Sequence, residues 1–243
     1  MTPDLLGLIE DALRAKPERD DKALAHMSAV VCDRQSWAER KGLPFEPFDF
    51  RTLIKFELGH QFEAAIADTL QAELERDYFI SRDYAIAWDP IRDVTHAIDE
   101  QNPAKTHEIV GHVDFYARSR HGTEHDFLLE IKSTSFLRGR IPEEAQPHYV
   151  EQAALYAAAL IVPHFGILVG CRESGKLAEP FWFETSEKLE WARARAQEII
   201  ESTDPRTYMP PAEPRTSWGC RTCRFSGCER NPSYVAPSME AAS

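Results

Sequence analysis

The 243-residue chain has no apolar run approaching the roughly 18 residues that a membrane helix needs, and its first stretch, MTPDLLGLIEDALRAKPERDDK, is amphipathic and charged rather than signal-like. A soluble, cytoplasmic protein is the expectation. Basic charge is also scarce: 28 lysines and arginines face 40 carboxylates, a formal net charge of -12. That excludes a protein that coats nucleic acid by bulk electrostatics, but not a metal site lined by carboxylates and reached along a local basic path. No internal repeat or low-complexity tract stands out. Cysteines number only five, and without a secretion signal they point to metal or cluster ligation rather than disulfides.

With 43% of its residues hydrophobic, the chain can bury a sizeable core in one domain. Apolar spacing predicts a helix over residues 4–15, one capped by Asp20 or Asp21 through Met27, Val30 and Val31, and a third over 51–75. In the third, Leu53, Phe56, Phe62, Ala65, Ile66 and Leu70 form the expected buried stripe. Alternation of Tyr84, Ile86 and Trp88 predicts a strand, followed by strands over 107–118 and 125–133. An Ala-rich helix over 141–162, entered through Pro142, strands over 164–171 and 180–184, and a helix over 186–200 complete the pattern. Residues 89–105 and the tail after Cys228 read as loose linkers. The expected fold class is α/β with a central mixed sheet flanked by helices.

The two middle strands carry the chemistry. Val113 and Phe115 are expected on one face and Asp114 on the other, with Phe127, Leu129 and Ile131 opposed to Leu128, Glu130 and Lys132. A connection over residues 120–124 puts Asp114 opposite Glu130, about 5 Å apart between Cβ atoms. Two carboxylates that close call for a cation, and their hard oxygens suit Mg²⁺ or Mn²⁺, with the Ile131 carbonyl as a further ligand. A bound ion activates water and neutralises charge on a phosphate, while Lys132 orients the water or stabilises the transition state. The same spacing also suits a solvent-exposed hairpin with a cross-strand charge pattern.

Downstream, Gln152 and Tyr156 lie four apart on one helical face, with His148 a turn earlier. Upstream, His60 follows Gly59 on an apolar helix, where a histidine is equally a hydrogen-bonded boundary residue, and Glu63 stands a turn further on. In order, His60, Gly111-x-x-Asp114, Glu130-x-Lys132 and Gln152-x-x-x-Tyr156 resemble the motif series of RecB-type PD-(D/E)XK nucleases. The resemblance implies that His60, Asp114 and Glu130 bind metal, that Lys132 is catalytic, and that Gln152 and Tyr156 position DNA or the lysine. It also favours an exonuclease on DNA ends, single-stranded DNA being the expected substrate.

Cys220, Cys223 and Cys228 lie close enough in sequence for one centre, and Cys32 can supply a fourth ligand. The region around Cys32 is similar to that of iron-sulfur RecB-type nucleases, which include the CRISPR-associated "Cas four" family and the AddB nuclease domain. That likeness implies a [4Fe-4S] cluster joining the chain's two ends, with residues 1–50 and 205–230 around the cluster, 51–203 as nuclease core and 231–243 as a flexible tail. The spacing departs from the family pattern, with four residues between Cys223 and Cys228 where five are expected. Cys171, ending an apolar strand, reads as a small buried residue.

For DNA contact the sequence offers Arg138, Arg140 and the hydroxyl of Ser133, a basic group of Arg34, Arg40 and Lys41, Arg221 and Arg224 among the cysteines, and Phe136, Trp37 and Trp218 for base stacking. Partnership in recombination or CRISPR adaptation, and homo-oligomers, fit the same sequence. So do two alternatives: a non-catalytic DNA-processing subunit, and a structural zinc protein.

Overall fold

The computed structural model describes residues 5–15, 23–28, 32–134, 146–211 and 223–230. The chain runs α1 (Leu5–Arg14), β1 (Ala25–His26), α2 (Asp33–Arg40), α3 (Phe50–Leu74), β2 (Tyr78–Asp89), β3 (Val94–Ala97), β4 (Ile109–Ser119), β5 (Phe127–Thr134), α4 (Pro147–Leu160), β6 (His164–Cys171), β7 (Phe181–Glu184) and α5 (Leu189–Ser202). The strands form one mixed seven-stranded sheet in the order β3-β2-β4-β5-β6-β7, with β1 paired to β4 off that path. Helices flank it, so the fold is α/β.

Adjacent residues of β5 show the layering. Leu128 packs into a cluster with Ala153 to Ala159 of α4 and Ala192, Ala196 and Ile199 of α5. Leu129 and Ile131 pack into another with Ala67, Ile66 and Leu70 of α3. The alanines of α4 let that helix lie close to the sheet, and Trp88, Ile86 and Phe165, all fully buried, fill the space. Each such large side chain contributes about 1.5–3 kcal/mol on burial.

Several elements differ from the sequence expectation for identifiable reasons. Around Met27, Ala25–His26 is a strand parallel to β4, and the next helix starts at Asp33; Asp20, Asp21, Val30 and Val31 lie outside the described residues. On α3, Phe56 is 46% exposed and Ala65 is exposed, because the helix buries a narrower face centred on Gly59 and Ala67. The supposed linker after Asp89 contains β3, which pairs antiparallel with β2. α4 enters through Pro147, which offers no N–H where a helix start leaves donors unpaired; residues 141–145 lie outside the described set. Among the described residues no helix is long and apolar enough to cross a membrane.

The faces of β4 also depart from simple alternation. Phe115 joins the α3-side cluster whereas Val113 joins the α4-side cluster, although they stand two positions apart, the spacing that shares a face in a regular strand. The switch coincides with Asp83, whose backbone is left-handed at φ 44, and with a break in the β2–β4 ladder between Arg82↔Phe115 and Tyr84↔Val113. A left-handed residue rotates the strand locally, and aspartate tolerates that conformation better than most side chains.

Candidate active site

One edge of β4 is shared between two strands. β5 pairs with Phe115, Tyr116 and Ala117, and β1 pairs with Ile109 and Val110. Between them, Gly111–Asp114 borders a fork, because β5 leaves β4 after Leu129 and continues to Thr134 paired with β6. The register Phe115↔Leu129 carries Asp114 toward Glu130, as the spacing predicts, although the connection spans residues 120–126 and includes a 3-10 turn at Thr123–His125.

The fork opens onto a cavity of about 550 Å³ lined by residues of α3, β2, β4, β5 and α4, and by His26. Asp114 Oδ2 accepts the backbone N–H of Ile131 at 2.8 Å, which fixes its carboxylate where the ladder ends. Lys132 Nζ lies 3.8 Å from Asp114 Oδ2 and forms a close ion pair with Glu130, so it bridges both carboxylates. Its ammonium also stands 5.6 Å from the Tyr149 ring.

Glu130 is 1% exposed, and the Lys132 ammonium meets its carboxylate. Burial, reinforced by the Asp114 charge, pushes its carboxyl up to about 8. Burial likewise raises Asp114, against the opposing pull of Lys132. For Lys132, burial acts downward, but the Glu130 and Asp114 charges outweigh it and hold the ammonium protonated.

From α4, Gln152 Nε2 donates to the Tyr156 hydroxyl at 2.7 Å, and both side chains line the cavity. Tyr156 is buried, which raises its phenol pKa, and it packs against Gly111 so closely that a Cβ there would lie 2.3 Å from Tyr156 Cε1. That contact is the physical reason for a glycine three residues before Asp114. His60 and Glu63 line the cavity from α3. Glu63 Oε1 accepts from Ser133 N at 3.1 Å and Ser133 Oγ at 2.9 Å, tying the end of β5 to α3.

The structure thus gathers His60, Asp114, Glu130, Ile131, Lys132, Gln152 and Tyr156 around one cavity. The sequence reading missed Asp83, His112 and His26 on its walls, with His112 Nδ1 3.4 Å from Asp83. No periodicity betrays Asp83, since Ile80 and Tyr84 keep one parity across it. Tyr149 was legible: 149, 152 and 156 share a helical stripe.

Other expectations are corrected. Ser133, expected to meet a phosphate, here directs its hydroxyl to Glu63 and ties β5 to α3. Arg34 and Arg40, 7% and 8% exposed, are not a basic rim; Arg40 Nη1 donates to Thr203 Oγ1 at 2.8 Å and to the Ile200 carbonyl at 3.1 Å. Trp37 is buried against Ala38, Phe225 and Cys228, so it offers no stacking surface. Arg138, Arg140, Phe136, Trp218, Arg221 and Cys220 lie outside the described residues.

Among the described residues no group of three His, Cys, Asp or Glu side chains is arranged to hold a metal ion. At the fork, the ammonium of Lys132 takes the bridging place between the two carboxylates. The donor set still fits a hard divalent cation, because two carboxylates, one of them fully buried, converge there with a single ammonium between them. Cys228 and Cys223 pack in one cluster around Trp37, and Cys32 feels the charge of Cys228. Burial raises the Cys32 thiol pKa against the smaller downward pull of the backbone N–H groups of Gln35 and Arg34, so the thiol form is favoured in the absence of a metal.

No protein-family model matches the chain, and no curated protein matches it. Among solved structures, one described as "Crystal structure of SSO0001" matches with a TM-score of 0.54 at 14% identity, covering 93% of this chain and 95% of that one. At that identity the likeness speaks for the fold alone: the α/β arrangement extends over nearly the whole length.

Proposed function

We propose that this protein is a metal-dependent DNA nuclease of the PD-(D/E)XK class, with Asp114, Glu130 and Lys132 at its centre. The observation that carries the reading is their convergence at a strand fork on a cavity, with Glu130 buried beside a second carboxylate and paired to Lys132. A surface hairpin has no reason to bring a buried carboxylate against a second one, since the penalty is several kcal/mol per ion and the single ammonium of Lys132 balances only one of the two charges.

Asp114 and Glu130 would hold Mg²⁺ or Mn²⁺, with His60 and the Ile131 carbonyl as further ligands. The bound ion supplies Lewis-acid stabilisation of the phosphate and a more acidic water. Lys132, which already lines the cavity, would orient the attacking water or balance charge on the phosphate oxygens. The Gln152–Tyr156 pair holds the wall beside Gly111 and offers polar groups to a nucleotide. Cys32, Cys220, Cys223 and Cys228 are proposed to hold a [4Fe-4S] cluster, and the RecB-type resemblance favours an exonuclease acting on single-stranded DNA ends.

Incubation of end-labelled linear and closed circular single-stranded DNA with anaerobically purified protein and Mn²⁺ tests the reading. Degradation of the linear strand that stops with chelator supports it, and cutting of the circle adds an internal activity. An inert protein with intact cysteine centre and bound Mn²⁺ contradicts it.

A further inference from the structure

Where β5 and β6 begin, a second cavity of about 450 Å³ opens that shares no lining residue with the one at the fork. Its walls are aromatic, with Tyr78 from the start of β2, Phe127 from the start of β5 and Trp182 from β7. Phe127 stands steeply to both neighbours, at 74° to Tyr78 with ring centroids 5.3 Å apart and at 84° to Trp182 at 5.6 Å. Phe181 and Phe183 pack into the α4-side core, so by alternation Trp182 and Glu184 point to the opposite face of the sheet. There the indole rests against β6 at Gly166, where a Cβ would lie 3.1 Å from Trp182 Cε3, and 51% of the residue stays exposed. Glu124, Glu184 and Glu187 line the same cavity. Glu124 and Glu184 meet imidazoles, His125 at 3.8 Å and His164 at 3.1 Å, and among the described residues no lysine or arginine pairs with any of the three carboxylates.

We propose that this cavity docks an arginine side chain presented by a partner protein, its guanidinium held between the Trp182 ring and the carboxylates of Glu184 and Glu187. Ring faces and carboxylates attract a cation together, and the same charges repel a phosphate backbone, so the occupant is a protein rather than a nucleic acid. Arginine fits better than lysine because its planar, weakly hydrated guanidinium stacks on an aromatic ring while its N–H fork still donates to carboxylates. A half-exposed tryptophan beside a pocket is also the usual anchor of a protein interface, where the partner's surface covers what one side chain leaves open. The site owes nothing to the nuclease chemistry at the fork, and its test is independent of cleavage.

The test is fluorescence anisotropy of a labelled peptide of alternating glycine and arginine, titrated with the full chain at about 0.15 M salt so that distant charges are screened. The expected result is binding that falls about tenfold when citrulline, which keeps the shape without the charge, replaces arginine. Trp182→Ala leaves every charge in place and is expected to weaken binding about fivefold or more. The double variant Glu184→Gln, Glu187→Gln weakens it as well, whereas Glu46→Gln, Glu100→Gln, the same loss of charge at exposed positions outside the cavity, does not. If Trp182→Ala fails to fold, the comparison of the two glutamine pairs decides the matter. Equal binding by Trp182→Ala, or equal effects of the two pairs, would reduce the interaction to general attraction between a basic peptide and an acidic protein and overturn the site. A lysine peptide bound as tightly overturns the choice of arginine, and a wild-type protein that binds no peptide overturns the proposal outright.

Discussion

The backbone N–H of Ile131 donates to Asp114 Oδ2 across the point where β4 and β5 part. A side chain takes the place of the next ladder bond, so the two strands separate while their carboxylates stay together. The fork, not either motif alone, creates the cavity, and the predictions below follow from it.

Glu130 makes the metal-free protein pH-sensitive. Its folded carboxyl titrates at about 8, above the ordinary value of 4.5, so between these values the folded state binds the extra proton. Stability is then fullest below about 4.5 and declines as pH rises toward 8, by at most about 1.4 kcal/mol per pH unit for one proton. Asp114, raised by the same burial, adds with the same sign. Urea midpoints measured in chelator should fall across this window, and Glu130→Gln should flatten the slope. A midpoint that rises with pH there would contradict the buried, metal-free carboxylate.

Gly111→Ala places a methyl where the Tyr156 ring stands. The expected cost is about 1–3 kcal/mol from overpacking, read by thermal or urea unfolding, with a matching loss of cleavage as Tyr156 and Gln152 shift. Tyr156→Phe removes only the hydrogen bond from Gln152 and should cost about 0.5–1.5 kcal/mol. Equal effects of the two substitutions would count against the steric account.

The N-terminal cysteine region is anchored to α5 by Arg195, which is 3% exposed and pairs with Asp33 at 2.5 Å. Arg195→Met leaves Asp33 without that partner and should destabilise the fold by about 3–5 kcal/mol, the range for breaking a buried pair. Denaturant unfolding of wild type, Arg195→Met, Asp33→Asn and the double variant measures the coupling. A coupling energy near zero would mean that α2 docks by its apolar contacts alone.

Much of this was legible in the sequence. The alternation around Asp114 and Glu130 predicts the register, because a slip by one residue would drive a carboxylate into an apolar layer. The spacing of Gln152 and Tyr156 likewise predicts a shared helical face. The two-residue β1 was not legible, since Ala25–His26 is too short to show alternation and is a strand only because β4 offers it an edge. The face switch at Asp83 depends on one left-handed residue that no periodicity reports. Arg34 and Arg40 looked like a surface basic group because sequence shows charge but not the carbonyls at Pro210 and Ile200 that bury it.

The most direct measurement of the central claim is single-turnover cleavage of end-labelled linear DNA in Mn²⁺ by wild type, Lys132→Ala and Asp114→Asn, each checked for a wild-type unfolding profile. The account predicts cutting by wild type and a loss of roughly 10²-fold or more in either folded variant, the scale for removing a group that stabilises the transition state. Folded variants that cut as fast as wild type would contradict it.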